Sequence, residues 1–238
     1  MSKANQLKRE EQRQRKLKKQ SNAEKNEKTK GLAFKFLLYG VMPLLAGITL
    51  FTLFSQGPTY STVEVAPNDH IRGDSESPVT LVVYADFQCP ACATEHQAMM
   101  RIWPQISSNA RLIFRHFPIT AAHPNSWAAS LYAEAAAKQG RFWEMHDYLF
   151  QTQAVWSNLQ NVEQEFDSYA LELNLDIEQL HLDIASSETI AKIRNDQRGG
   201  NSAGVLSTPS VFINGKLLNR PNATRIRNAV KEAASLSG

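Results

Sequence analysis

Val79-Thr80-Leu81-Val82-Val83-Tyr84-Ala85-Asp86-Phe87-Gln88-Cys89-Pro90-Ala91-Cys92 is the stretch on which the fold turns. Residues 79–84 form a nearly unbroken apolar, β-branched run, the pattern of a strand buried on both faces. A cysteine pair follows within five residues, and helical spacing then runs over 91–103 until Pro104 is expected to stop it. Cys-x-x-Cys by itself serves zinc sites, haem attachment and redox dithiols alike. Its place between a buried strand and a helix start is the arrangement expected of a redox pair.

Downstream, residues 111–117 read as a second strand ended by Pro118, which completes a strand–helix–strand unit. The pattern then becomes helical. Residues 126–137 are Ala-rich and close on Gly140, a natural C-terminal cap. Helical spacing recurs over 142–150, 162–173, 177–184 and 188–198. Residues 207–218 return to strand, with Asn214-Gly215 as a two-residue hairpin turn, and a last helix is expected over 223–234. The order is βαβ, a helical insertion over about 120–200, then ββα. That predicts an α/β domain over 75–238, joined by a linker over 55–74 that holds one short strand at 62–65. Arg72-Gly73-Asp74 in that linker reads as a chance tripeptide.

The N-terminal part has a different character. Residues 1–30 carry 11 Lys and Arg against 4 Asp and Glu, whereas the rest of the chain carries 15 against 19. The basic balance is therefore a property of a tail, and nucleic-acid binding by the whole protein is not expected. Such a tail buries too little apolar surface to order itself, so residues 1–35 are expected to be disordered. Residues 36–54 are uncharged, and 19 helical residues span roughly 28 Å, close to a bilayer's hydrocarbon thickness. This predicts one transmembrane signal anchor, with the basic tail in the cytoplasm and everything after about 55 outside. A cleavable signal peptide is the rival reading, but the run is long and Ser55-Gln56-Gly57 is a poor cleavage site.

Only two cysteines occur in the chain, and both serve one local site. At a helix N-terminus, unpaired N–H groups and the macrodipole favour a negative charge. Such placement lowers a thiol pKa from about 8.5 to between about 3.5 and 7.5. Cys89 is therefore the expected attacking thiolate and Cys92 the resolving thiol, with Pro90 suited to the first helical turn. A metal reading would join Cys89, Cys92 and His96, but no second Cys pair or His-x3–5-His pattern completes a four-ligand site. His96 is read as a solvated helix position. No metal and no organic cofactor are expected.

These residues resemble the DsbA-like thiol–disulfide oxidoreductases of the thioredoxin superfamily, over about 70–236. The anchors are Asp86-Phe87-Gln88-Cys89-Pro90-Ala91-Cys92, Gly140-x-Phe142-Trp143-x-Met145-His146-Asp147, and Gly204-Val205-x-x-Thr208-Pro209-Ser210-Val211-Phe212-Ile213-Asn214-Gly215. The resemblance implies a thioredoxin fold with a helical insertion. It implies that Pro209 is the cis proline lying against the cysteine pair and that Thr208 contacts substrate and tunes the thiolate, beside the tuning dipeptide Pro90-Ala91. Two departures stand out. Val83 occupies the position six before Cys89 where many relatives bury a carboxylate, and Asp86 lies three positions off, in the loop. The Pro-Ala dipeptide lacks the histidine of the strongest family oxidants, which implies a less oxidising pair. His123 is read as helix-starting or rimming the groove, and Trp127, Trp143, His146, Phe150 and Trp156 as packing residues. The function implied is thiol–disulfide exchange on exported proteins outside the inner membrane, by a monomer that a membrane redox partner resets. The alternatives are a tethered reductase or isomerase, and a non-catalytic metal- or protein-binding module.

Overall fold

The computed structural model describes Lys18 and residues 36–54, 61–62 and 64–236. The expected basic tail, apart from Lys18, and residues 55–60 of the expected linker lie outside the described residues. The chain divides into two units, residues 1–56 and 57–238.

In the first unit, a π-helical turn over Leu37–Val41 runs into helix α1 (Met42–Phe54). The Met42 N–H donates to the Leu37 carbonyl, five residues back, just before Pro43, which has no N–H to give. Residues 36–54 are thus helical throughout, as a π-helical turn that leads into α-helix at the proline. Among the described residues, no helix is long and apolar enough to cross a membrane.

The second unit is built on a mixed five-stranded sheet of order β1-β3-β2-β4-β5. Its strands are β1 (His70–Arg72), β2 (Val79–Ala85), β3 (Ala110–His116), β4 (Ser210–Ile213) and β5 (Lys216–Leu217). Strand β2 lies at the centre, parallel to β3 and antiparallel to β4, and all seven of its residues are buried. Period-two alternation divides them between two cores. Leu81, Val83 and Ala85 join Phe87, Leu112, Phe114 and the helical insertion, while Val82 and Tyr84 pack with Ile113, Val205 and Phe212.

Helix α2 (Pro90–Ile106) crosses from β2 to β3. It does not end at Pro104 as expected. A proline within a helix withholds one hydrogen bond, and here the helix is already in its last turn, capped by Ser107 N–H on the Trp103 carbonyl. The insertion comprises α3 (Ser126–Lys138), α4 (Phe142–Gln151), α5 (Gln153–Trp156), α6 (Glu163–Glu172), α7 (Ile177–Ile184) and α8 (Ser187–Ser202). Helix α9 (Ala223–Ser235) closes the chain. Asn214 and Gly215 both take positive φ, 44° and 80°, as a tight hairpin turn requires.

Two expectations need correction. Strand β1 lies inside the expected linker, paired antiparallel with β3, whereas Thr62, Glu64 and Val65 form no strand. Its pairing partner is remote in sequence, so no local pattern announces it. Trp127 is only half-buried, not core. Gly200 on α8 is a close-approach site, since a Cβ there would stand 2.7 Å from the Phe117 ring.

Candidate active site

The site is assembled where β2 hands over to α2. Cys89 is the N-cap of α2, in extended conformation, and Pro90 follows at the first helical position, where no intrahelical bond is asked of it. The Cys89 carbonyl accepts from the Cys92 N–H at 3.0 Å and the Ala93 N–H at 3.2 Å. Pro90 and Ala91 are exposed, Cys89 is 7% exposed and Cys92 is fully buried. From the far end of the chain, Thr208 and Pro209 come up beside them. The Thr208–Pro209 peptide is cis, and the Thr208 carbonyl accepts from Cys89 Sγ at 3.6 Å. The structure therefore brings together all six residues singled out in the sequence.

The two thiols are made unlike by their surroundings. The Cys92 thiol, donating to Cys89, is the chief influence lowering the Cys89 pKa to about 5, against the opposing effect of burial. The Cys92 and Ala91 N–H groups and the Thr208 side chain add to it. The Thr208 hydroxyl does this without a hydrogen bond of full geometry. For Cys92, burial comes first and the neighbouring Cys89 second, and both push its thiol well above the ordinary range. At pH 7 a thiol with pKa near 5 is about 99% thiolate. One sulfur is thus a nucleophile and leaving group, the other a protonated reserve.

Behind the pair lies Asp86, which is fully buried. Its carboxylate accepts from Gln88 N–H at 2.8 Å and Ile119 N–H at 2.7 Å, and meets His123 Nδ1 at 2.8 Å. Its backbone N–H points at Cys92 Sγ, 3.5 Å away. A carboxylate with three donors is committed to holding the loop. His123 accordingly braces Asp86, while Asn125 is the N-cap of α3 and Ser126 its first residue, so the 123–126 segment leads into that helix as expected.

Two amides missed in the sequence tie the helical insertion to the site. Gln153 Nε2 donates to the Phe87 carbonyl at 2.6 Å and the Cys89 carbonyl at 3.0 Å. Gln88 donates to the Ser157 carbonyl and accepts from Asn125 N–H, both at 2.6 Å. Glutamines carry no sequence signal for such a role, because their partners are up to 69 residues away.

His96 is buried, contrary to the solvated position expected, and engages α4 instead of the cysteines. It stacks on Phe150 at 4.9 Å, and its Nε2 lies 3.7 Å from Asp147 Oδ1. His96, His146 and Asp147 bring ligand-type atoms within 4.8 Å of one another. Arg72, however, already pairs with Asp147 at 2.7 Å while lying over the Trp143 ring, so this cluster carries its own counter-charge.

A family model described as thioredoxin matches residues 65–232. Among curated relatives, the "Na(+)/H(+) antiporter NhaA 1" of Mycolicibacterium gilvum (strain PYR-GCK) is 36% identical over 152 residues, which is 62% of this chain and 24% of that protein. The chain thus spans about a quarter of the length of the curated relatives it matches. A thioredoxin-like oxidoreductase from Silicibacter pomeroyi DSS-3 superposes with a TM-score of 0.62 at 26% identity, covering 71% of this chain and 94% of that one. Wolbachia pipientis alpha-DsbA1 gives 0.63 at 21% identity, covering 73% and 94%. The chain belongs to the thioredoxin family, and its fold is that of the DsbA-like thiol–disulfide oxidoreductases.

Proposed function

We propose that Cys89 and Cys92 form a redox pair that introduces disulfides into exported proteins. The observation that carries this reading is the contrast between the two thiols. In the oxidised protein, a substrate thiolate attacks Cys89 Sγ, the Cys89–Cys92 bond breaks, and Cys92 leaves with the electron pair and takes up a proton. A second substrate thiolate then attacks the substrate sulfur of the mixed disulfide and expels Cys89. A thiolate with pKa near 5 is a good leaving group, and stabilising it favours the reduced enzyme and hence oxidation of the substrate. Pro90, Ala91, Thr208 and Pro209 frame the exposed side of Cys89, where a substrate chain would lie.

The tether is part of the same proposal. Phe36, Tyr39, Met42, Leu44 and Ile48 are all more than half exposed in the first unit, an apolar surface that water does not favour. Residues 36–54 are read as a single membrane anchor, with residues 1–35 cytoplasmic and the domain that opens with β1 on the outer face. Anchoring would raise the effective concentration of the domain near a membrane redox partner that reoxidises it.

Trapping the thiols in intact cells tests the direction of exchange. A mostly oxidised Cys89–Cys92 pair is expected, with loss of exchange in Cys89→Ser; a mostly reduced pair would make the protein a reductase or isomerase. Full function in Cys89→Ser would end the redox reading. Reporter fusions on either side of residues 36–54 test the topology.

A further inference from the structure

Cys89 is the member of the pair whose backbone the helix does not fix. Cys92 lies in the first turn of α2, whereas Cys89 is its N-cap, at φ −72° and ψ 120°. A disulfide closes only when the two Cβ atoms converge to roughly 3.5–4.5 Å. Whatever holds the backbone over 87–89 therefore decides how readily the pair closes.

That hold comes from the helical insertion and the loop leading into it. Each residue from Asp86 to Cys89 is hydrogen-bonded to the segment 119–157. Gln153 makes two of these bonds with one group. A glutamine amide carries two N–H donors, and here its Nε2 spans the Phe87 carbonyl at 2.6 Å and the Cys89 carbonyl at 3.0 Å. An amide oxygen in that place would face two carbonyls, so only the donor end fits. The bracket closes across Gln88, whose own amide is bonded at both ends, to the Ser157 carbonyl and the Asn125 N–H.

The mount of Gln153 is itself fixed. Gln153 is 9% exposed and begins α5, whose Trp156 is fully buried and donates to the Leu149 carbonyl at 2.9 Å. A buried amide held this way can transmit the position of the insertion to the loop without adjusting to it.

On the redox reading of the cysteine pair, we infer that Gln153 is a positioning residue for thiol–disulfide exchange. It holds the Cys89 backbone at the strand-to-helix joint so that the Cys89 sulfur stays within reach of Cys92. In the resolving step Cys92, its proton given to water, attacks Cys89 Sγ. The bond from Cys89 to the bound thiol breaks, and that thiol leaves with the electron pair. Gln153 acts on this step through the backbone. Without it the joint regains freedom that the open states keep and the closed disulfide must give up. Freeing one residue from a single backbone well lowers an effective concentration by about tenfold.

The test uses the full chain. Gln153→Met keeps nearly the same side-chain length and removes both donors. Reduced protein is mixed with oxidised glutathione and acid-quenched, and the Cys89–glutathione mixed disulfide is followed by mass. In Gln153→Met the mixed disulfide should resolve about tenfold more slowly and accumulate. The equilibrium with glutathione should shift by the same factor toward the dithiol, a rise in reduction potential of about 30 mV. Gln153→Asn keeps the amide but falls one methylene short; it should move both quantities the same way by a smaller factor, and it carries the test if Gln153→Met does not fold. Gly200→Ala strains the other core, against Phe117 and Tyr84, and should lose stability while leaving both redox quantities in place. An unchanged resolution rate and potential in the folded Gln153 variants, or an equal change in Gly200→Ala, would overturn the inference. A parent protein that forms no mixed disulfide would instead overturn the redox reading itself.

Discussion

The contrast between the cysteines predicts what removing one side chain does to the other. In Cys92→Ala the thiol that donates to Cys89 is gone, while the Cys92 and Ala91 backbone N–H groups and the helix N-terminus remain. A hydrogen bond to a charged acceptor contributes roughly 1.5–3 kcal/mol. Each 1.36 kcal/mol is about one pH unit, so the Cys89 midpoint should rise from about 5 to between about 6 and 7. At pH 7 the thiolate fraction would then fall from about 99% to somewhere between about half and nine-tenths. Cys92→Ser retains a donor and should stay closer to the parent. The assay is the ultraviolet absorbance of the thiolate against pH, cross-checked by alkylation rate. A Cys92→Ala midpoint that stays near 5 would refute the reasoning and assign the effect to the helix N-terminus and backbone donors.

The remaining predictions address the frame around the pair. Asp86→Ala leaves two buried N–H groups and His123 without their acceptor and should cost about 2–4 kcal/mol in denaturant unfolding; a change under about 0.5 kcal/mol would count against the bracing role. Gly200→Ala drives a methyl into the Phe117 ring and should cost about 1–3 kcal/mol, read the same way. Burial holds His146 near 3, below its ordinary 6.5, so between these values the unfolded chain binds a proton that the folded chain refuses. Stability from this group is complete above about pH 6.5 and is lost as pH falls toward 3, at up to about 1.4 kcal/mol per pH unit. His146→Gln should flatten that slope in unfolding titrations, and an equal slope would show that other groups set it. Ala91→His adds a donor beside the thiolate and should raise the reduction potential by about 30 mV, measured against glutathione; no rise would mean the Pro-Ala dipeptide does not restrain the pair.

What could be read from the sequence follows from how far each signal reaches along the chain. The buried run of β2, the switch to helix at Cys89 and the Asn214-Gly215 turn are local patterns, and they place the site and the sheet centre. Thr208 and Pro209 are remote from Cys89, and only the family resemblance tied them to it. Strand β1 escaped because three residues carry too little periodicity, and its pairing with β3 was settled elsewhere. Arg72 looked like part of a chance tripeptide, yet it pairs with Asp147 on α4. Gln88, Gln153 and Asp86 act through bonds to backbone groups distant in sequence, and polar residues in such roles have no composition or spacing to give them away.

Glu95 and His96 show the same limit on a single helix. Counting from Cys92, both fall on the core-facing arc of α2, so helical periodicity makes them candidates for burial. Charge argues the other way, because Glu and His are ordinarily solvated. Here the geometry prevailed for His96 and only in part for Glu95. His96 is buried neutral against Phe150, a packing role that the imidazole ring fills at little cost. Glu95 is partly buried, with its Oε1 inside the fold and the rest of the side chain still reaching solvent. The arc position on α2 therefore bounds which side chains can leave water, and the chemistry of each side chain decides how far it does.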